Sequence, residues 1–124
     1  SYPEHSVAVT GNHDTDTLAV WWSTAPQNER DGFWRWAGQS GPAPRFSPRV
    51  HACLLAGVYR SNSALVILPF QDLTATRERI KVPGSVRNSN WTYRARWTVE
   101  ALNNGLAKAK TGLIEKLAED SGRA

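Results

Sequence analysis

Two short aliphatic runs constrain this chain more than any other feature. Residues 6–10 (SVAVT) and 64–69 (ALVILP) read as strands, because each is brief, rich in aliphatic side chains and bounded by polar or turn-forming residues. About fifty residues separate them, far more than a hairpin uses and enough for a crossover that pairs strands in parallel. Apolar strands with helices between them are the α/β pattern, in which strands are covered on both faces. Both runs are therefore expected to be buried.

The intervening chain supplies the helices. Residues 17–22 open one, with Trp21 and Trp22 adjacent, and residues 28–39 hold a second aromatic cluster of Phe33, Trp34 and Trp36. Residues 38–48, with Pro42, Pro44, Pro48 and two glycines, read as a loop. Ser47-Pro48 is an N-cap followed by proline at the first helical position. From there Val50, Cys53, Leu54, Gly57 and Val58 recur at helical spacing to about residue 60, where Ser61-Asn62-Ser63 ends the pattern. Residues 1–5 form an extended lead-in, and residues 71–90 are polar and broken by Pro83-Gly84. Residues 98–120 form a helical region, with Val99, Leu102, Leu106, Ala109, Leu113 and Leu117 as its apolar stripe. Asn103-Asn104-Gly105 interrupts that stripe. The whole of 1–124 reads as a single segment without repeats.

Composition narrows the function classes. A chain of 124 residues with 40% hydrophobic and 21% charged residues has the make-up of a globular domain. It is half the roughly 250 residues of a complete (β/α)8 barrel. No apolar run reaches the roughly 20 residues of a membrane span, and no signal-peptide pattern opens the chain, so no membrane partner is expected. The chain starts at Ser1 and contains no Met, so its start is expected to have been processed, trimmed or cut from something longer. The lone Cys53 excludes an internal disulfide, sits in an apolar helix and fits a reducing, cytoplasmic setting. The net charge of +4 comes from interspersed acids and bases, the pattern of a solvated surface more than of a nucleic-acid footprint.

The chemistry concentrates after the first strand. Gly11-Asn12 stops it, His13-Asp14 follows at once, and Thr15-Asp16-Thr17 leads into the next helix. An imidazole and a carboxylate thus stand at the carboxyl end of a strand, where α/β barrels build their active sites. The plainer alternative is that Asp14 and Asp16 cap the helix. The six Trp have two readings: sugar rings stack on exposed aromatic planes, whereas buried Trp fills a core. Trp34 and Trp36 stay open between a sugar-stacking lid and packing, and Trp91 is expected to lock a turn. His5 and His51 fit surface or satisfied-core roles. No metal-ligand spacing and no phosphate-cradling loop is present, so neither metal nor cofactor is expected.

The run TGNHDTDT with its Trp-Trp tail resembles the 4-α-glucanotransferases (amylomaltases) of glycoside hydrolase family 77, where the segment typically reads TGTHDNDT before a GWW-like tail. A second match follows the second strand: Pro69, Gln71, Asp72 and Leu73, then Arg79, Pro83 and Gly84, then Asn90, Trp91 and Arg94. These fit the family's P-x-Q-D-L, R-x-N-x-P-G-T and N-W-x-x-R elements in order and spacing. The likeness is weakest over residues 25–48 and after Thr98. Asn12, Thr15, Lys81 and Ser85 depart from the family pattern, and Lys81 replaces an Asn expected to make a polar contact near the sugar.

The resemblance implies an α/β fold that is a partial TIM (β/α)8 barrel, its last two β/α units plus C-terminal helices. It implies retaining transfer of α-1,4-glucan segments between maltooligosaccharides, with Asp14 as the carboxylate that holds sugar hydroxyls and His13 as its partner. Sugar contacts are expected at Asp16, Trp22, Trp34, Trp36 and Asn90. Nucleophile and acid/base carboxylates would lie upstream, so the remainder of the barrel is the required partner and the isolated segment should not turn over. Two alternatives stand beside this: a non-catalytic glucan-binding piece using Trp22, Trp34 and Trp36, and a single-stranded nucleic-acid binder using the basic aromatic residues 77–97.

Overall fold

The computed structural model describes residues 3–123, apart from the side chain of Leu106. Residues 1 and 2 of the expected lead-in, and the Leu106 position of the C-terminal stripe, lie outside what is described. Strand β1 spans Val7–Val9 and strand β2 spans Leu65–Ile67. They pair in parallel with Val7 opposite Leu65 and Val9 opposite Ile67, as a crossover connection requires.

Helices α1 (Leu18–Thr24), α2 (Gln27–Trp36) and α3 (Pro48–Tyr59) make the crossover. Thr17 is the N-cap of α1, its hydroxyl accepting from the Val20 N–H at 3.4 Å. The alternative that Asp14 or Asp16 caps this helix is thereby corrected, because the capping position falls one residue beyond Asp16. Ser47 caps α3 with Pro48 in the first turn, as the sequence indicates.

The core sits in the helical layer. Trp22, Trp34, Ala43, Val50 and Leu54 form one buried cluster, with Leu18, Phe33, Phe46 and Cys53 packed against it. Trp22 crosses Trp34 and Phe33 edge-on, at 6.3 and 5.9 Å between centroids, and donates its indole N–H to the Pro44 carbonyl at 2.9 Å. Gly57 lets α2 approach α3 closely: a Cβ there would stand 3.0 Å from the Trp36 ring.

The strands are the correction. Val7, Val9, Leu65 and Ile67 share one face of the pair and are 49%, 56%, 57% and 59% exposed, whereas Ala8 and Val66 on the other face are half-buried. The expectation of two buried strands fails because, among the described residues, nothing covers that face enough to bury it. After β2, a short helix α4 (Phe70–Thr74) occupies sequence read only as polar. Residues 76–98 are irregular, and a 3-10 turn (Glu100–Asn103) leads into α5 (Gly105–Asp120), a break where Asn103-Asn104-Gly105 marks it. Helix α5 packs on α3 and α4. Just past it, Arg123 clasps the turn between α3 and β2 by donating to the carbonyls of Tyr59, Ser61 and Ala64.

Trp22→Ala or Trp34→Ala is expected to cost about 3–5 kcal/mol in denaturant unfolding, because each leaves a large cavity. Trp36→Ala, at a ring 67% exposed, should cost well under that.

Candidate active site

The site is built by two loops that leave the carboxyl ends of the parallel strands. Gly11 lets the first loop fold on itself, since a Cβ there would lie 2.3 Å from the Thr15 hydroxyl. That hydroxyl donates to the Asn12 carbonyl and accepts the Asn12 N–H at 2.9 Å, while the Asn12 side chain accepts the Asp14 N–H at 2.8 Å. The result is an Asx turn that presents His13 and Asp14 outward. The two departures from the family motif, Asn12 and Thr15, are therefore the residues that shape the turn.

A buried carboxyl anchors this loop at both ends. Asp72, 2% exposed on α4, accepts the Thr10 hydroxyl at 2.5 Å where β1 ends and the Leu18 N–H at 2.7 Å where α1 begins. Its own carbonyl lies 2.6 Å from His51 Nε2 on α3, so the imidazole donates there. His51 is buried, and burial pushes its pKa below the ordinary 6.5, Lys110 adding to the depression while the Asp72 carbonyl and carboxyl oppose it.

Arg79 ties the two loops together. It donates to Asp16 at 2.5 Å, to the Asp14 carbonyl at 2.6 Å and to the Lys81 carbonyl at 3.2 Å. Lys81 Nζ sits 2.9 Å from Asp14 Oδ1, and His13 Nε2 lies 3.2 Å from Oδ2. The Lys81 hydrogen bond holds the Asp14 carboxyl below its usual pKa, with lesser help from His13 and Arg79. The Trp91 ring lies 5.1 Å from the His13 ring and 5.7 Å from Lys81 Nζ. Beside them, an open cleft of about 70 Å³ is lined by residues that include His13, Asp16, Gln71, Asp72 and Arg79.

The expected site residues divide. His13, Asp14 and Asp16 come together on one loop. Trp22 and Trp34 are 0% and 1% exposed, and a ring without a free face does not stack on a sugar, so the stacking role expected for these two is corrected. This also removes two of the three rings on which a glucan-binding module without chemistry would depend. Trp36 is exposed on the α2–α3 surface beside Phe33 and Gly57. Asn90 laces its own turn, its Oδ1 accepting the Val82 N–H at 3.1 Å and its Nδ2 donating to the Ser85 carbonyl at 2.9 Å.

Sequence reasoning did not bring Arg79 and Asp72 beside the His-Asp pair, and it placed Lys81 near the sugar only through the family resemblance. They lie more than fifty residues away along the chain, and the only signal was their membership of the second motif. In the basic stretch 77–97, Arg77 donates to Ser23 and the Ala19 carbonyl, Arg79 and Lys81 pair with Asp16 and Asp14, and Arg96 pairs with Glu78. Among the described residues no cluster of His, Cys, Asp or Glu is arranged to hold a metal ion, and no helix is long and apolar enough to cross a membrane.

The family model for 4-alpha-glucanotransferase matches residues 1–100. The chain belongs to this family, glycoside hydrolase family 77. A 4-alpha-glucanotransferase from Chlamydia muridarum is 31% identical over 112 residues, covering 82% of this chain and 21% of the relative. One from Thermus thermophilus is 32% identical over 98 residues, covering 76% and 19%. Among solved structures, an amylomaltase from Streptococcus agalactiae in complex with acarbose superposes with a TM-score of 0.79 at 20% identity, covering 99% of this chain and 23% of that one. That likeness supports the α/β fold. The chain spans about a fifth of the length of the curated relatives it matches.

Asp72→Ala removes the acceptor of two part-buried donors and is expected to destabilise the fold by about 2–4 kcal/mol in denaturant titrations. Asp72→Asn, which keeps the shape and one carbonyl acceptor, should cost less. The depressed His51 pKa adds a pH dependence of definite sign. An unfolded His51 takes up its proton first as pH falls below about 6.5, so the stability it contributes is present above that pH and lost beneath it. His51→Gln should flatten the decline of the denaturation midpoint between neutral and mildly acidic pH.

Proposed function

We propose that this segment supplies the seventh and eighth β/α units of a (β/α)8 barrel that transfers α-1,4-glucan segments with retention. The observation that carries this reading is the His13–Asp14 pair on the loop at the carboxyl end of β1. In a barrel, that is the face where side chains from several strands converge on substrate. The half-exposed face of Val7, Val9, Leu65 and Ile67 supports it, because an aliphatic layer of this kind is what barrel strands contribute to a shared interior.

In this reading the substrate is a maltooligosaccharide, and the partner is the remainder of the barrel. Retaining transfer uses one carboxylate as nucleophile and a second carboxyl group as acid and then base. The family resemblance assigns both to strands outside these 124 residues. Asp14 has the third part. Its carboxylate accepts hydrogen bonds from ring hydroxyls, and those bonds strengthen as positive charge develops on the sugar ring. His13, whose Nε2 stands 3.2 Å from Asp14 Oδ2, orients the carboxylate. Arg79 contributes by fixing the loop rather than by touching sugar. Transfer prevails over hydrolysis when an acceptor glucan excludes water from the site.

Asp14→Asn in the native-length protein should lower kcat for maltooligosaccharide disproportionation by about a hundredfold or more while leaving the unfolding midpoint nearly unchanged. The isolated 124-residue chain should show no turnover. Near-native rates in Asp14→Asn would sink the assignment.

A further inference from the structure

The Asp14 carboxylate is held from two sides by groups that rest on one ring. Lys81 Nζ meets Oδ1 at 2.9 Å and His13 Nε2 stands 3.2 Å from Oδ2. The indole of Trp91 lies against the His13 ring and beneath the Lys81 ammonium, at 5.1 and 5.7 Å from its centroid. A cation over an aromatic face is attracted by the ring's negative π cloud.

Trp91 is an unusual residue to find in this role. Its φ is +66°, a left-handed conformation that is costly for a bulky side chain, and its ring is 64% exposed. Burial of the indole therefore does not account for the strain. The backbone is held from outside: the Trp91 N–H donates to the Ile80 carbonyl at 2.8 Å, and the Asn90 amide bridges Val82 and Ser85. These bonds close residues 80–91 into a loop whose two ends bring Lys81 and Trp91 side by side. Strain maintained at an exposed ring beside a candidate site points to a function for the ring's placement.

We propose that Lys81 is a positioning residue for Asp14 and that Trp91 is the platform that keeps its ammonium in place. The proposal rests on the reading of Asp14 as the carboxylate that receives sugar hydroxyls. A carboxylate oxygen has two lone pairs, so Lys81 and His13 fix the plane of the group while leaving an outward acceptor position on each oxygen. A half-exposed Asp without these partners rotates freely and loses orientation entropy when it engages a sugar. The charged groups facing Asp14 are Lys81, His13 and Arg79, and Arg79 is already committed to Asp16. Lys81 is thus the cation whose removal changes Asp14 most. The family's usual Asn at this position would offer a neutral amide in its place.

The test is a comparison of Lys81→Asn, Lys81→Arg and Trp91→Ala in the native-length protein, with Asp14→Asn alongside. Maltotriose disproportionation is followed across acidic to neutral pH, and the Asp14 carboxyl carbon is titrated directly by 13C NMR. Lys81→Asn should raise the Asp14 titration midpoint, and with it the acid limb of kcat/KM, by a small shift because the pair is partly solvated. It should also lower kcat several-fold with KM little changed. Lys81→Arg should restore the limb, and Trp91→Ala should reproduce part of the shift. An Asp14 titration in Lys81→Asn that coincides with wild type overturns the positioning role, whatever the activity. Near-native turnover in Asp14→Asn would instead overturn the reading of the site beneath it. Inactive Asp14→Asn with an unmoved Asp14 titration in Lys81→Asn would leave that reading standing and remove only this proposal.

Discussion

The carboxyl group of Asp72 is the interaction on which the rest of the arrangement depends. One oxygen takes the hydroxyl of Thr10, where β1 ends, and the other takes the N–H of Leu18, where α1 begins. The seven residues between are the candidate site loop, so both of its ends are set by a single side chain from beyond β2. The Asp72 carbonyl extends the same anchor to α3 through His51. A buried carboxyl is tolerable there because each oxygen has a donor, and removing it would strand donors from two separate elements.

From that anchor the loop is braced outward by charge. Arg79 spans Asp16 and the Asp14 carbonyl, and Lys81 reaches the Asp14 carboxylate itself. These contacts are half-exposed, and their worth in stability is small beside the tryptophan core. Their effect is on geometry. They hold the Asp14 carboxylate in one orientation, on the loop whose His13 and Asp16 line the cleft with Asp72 and Arg79.

Several elements were legible because their signals are local. Ser47-Pro48 announces α3, the Asn-Asn-Gly run marks the break before α5, and the fifty-residue gap between two aliphatic runs points to parallel pairing. The His-Asp pair was legible from its place after a strand. The five-residue α4 was not, since a single turn has too little periodicity to stand out from a polar stretch. Nor was the division of the tryptophans: Trp34 and Trp36 are two positions apart on α2, yet one is buried and the other exposed. Residues two apart on a helix point about 200° apart, so which of them faces inward depends on where the neighbouring helices lie.

The sequence by itself determined the α/β class, the parallel strands with the helices between them, and the family, because period, capping chemistry and motif spacing are properties of nearby residues. It also located His13 and Asp14. Only the tertiary structure decided what surrounds them: that Asp72 anchors their loop, that Lys81 faces Asp14 where an Asn is usual, that Trp91 carries Lys81 and His13 on one ring, and that Trp22 and Trp34 belong to the core. Each of these pairs residues far apart in the chain or chooses between faces of one helix. Such choices are set by the packing of elements against one another, which no local window of sequence contains.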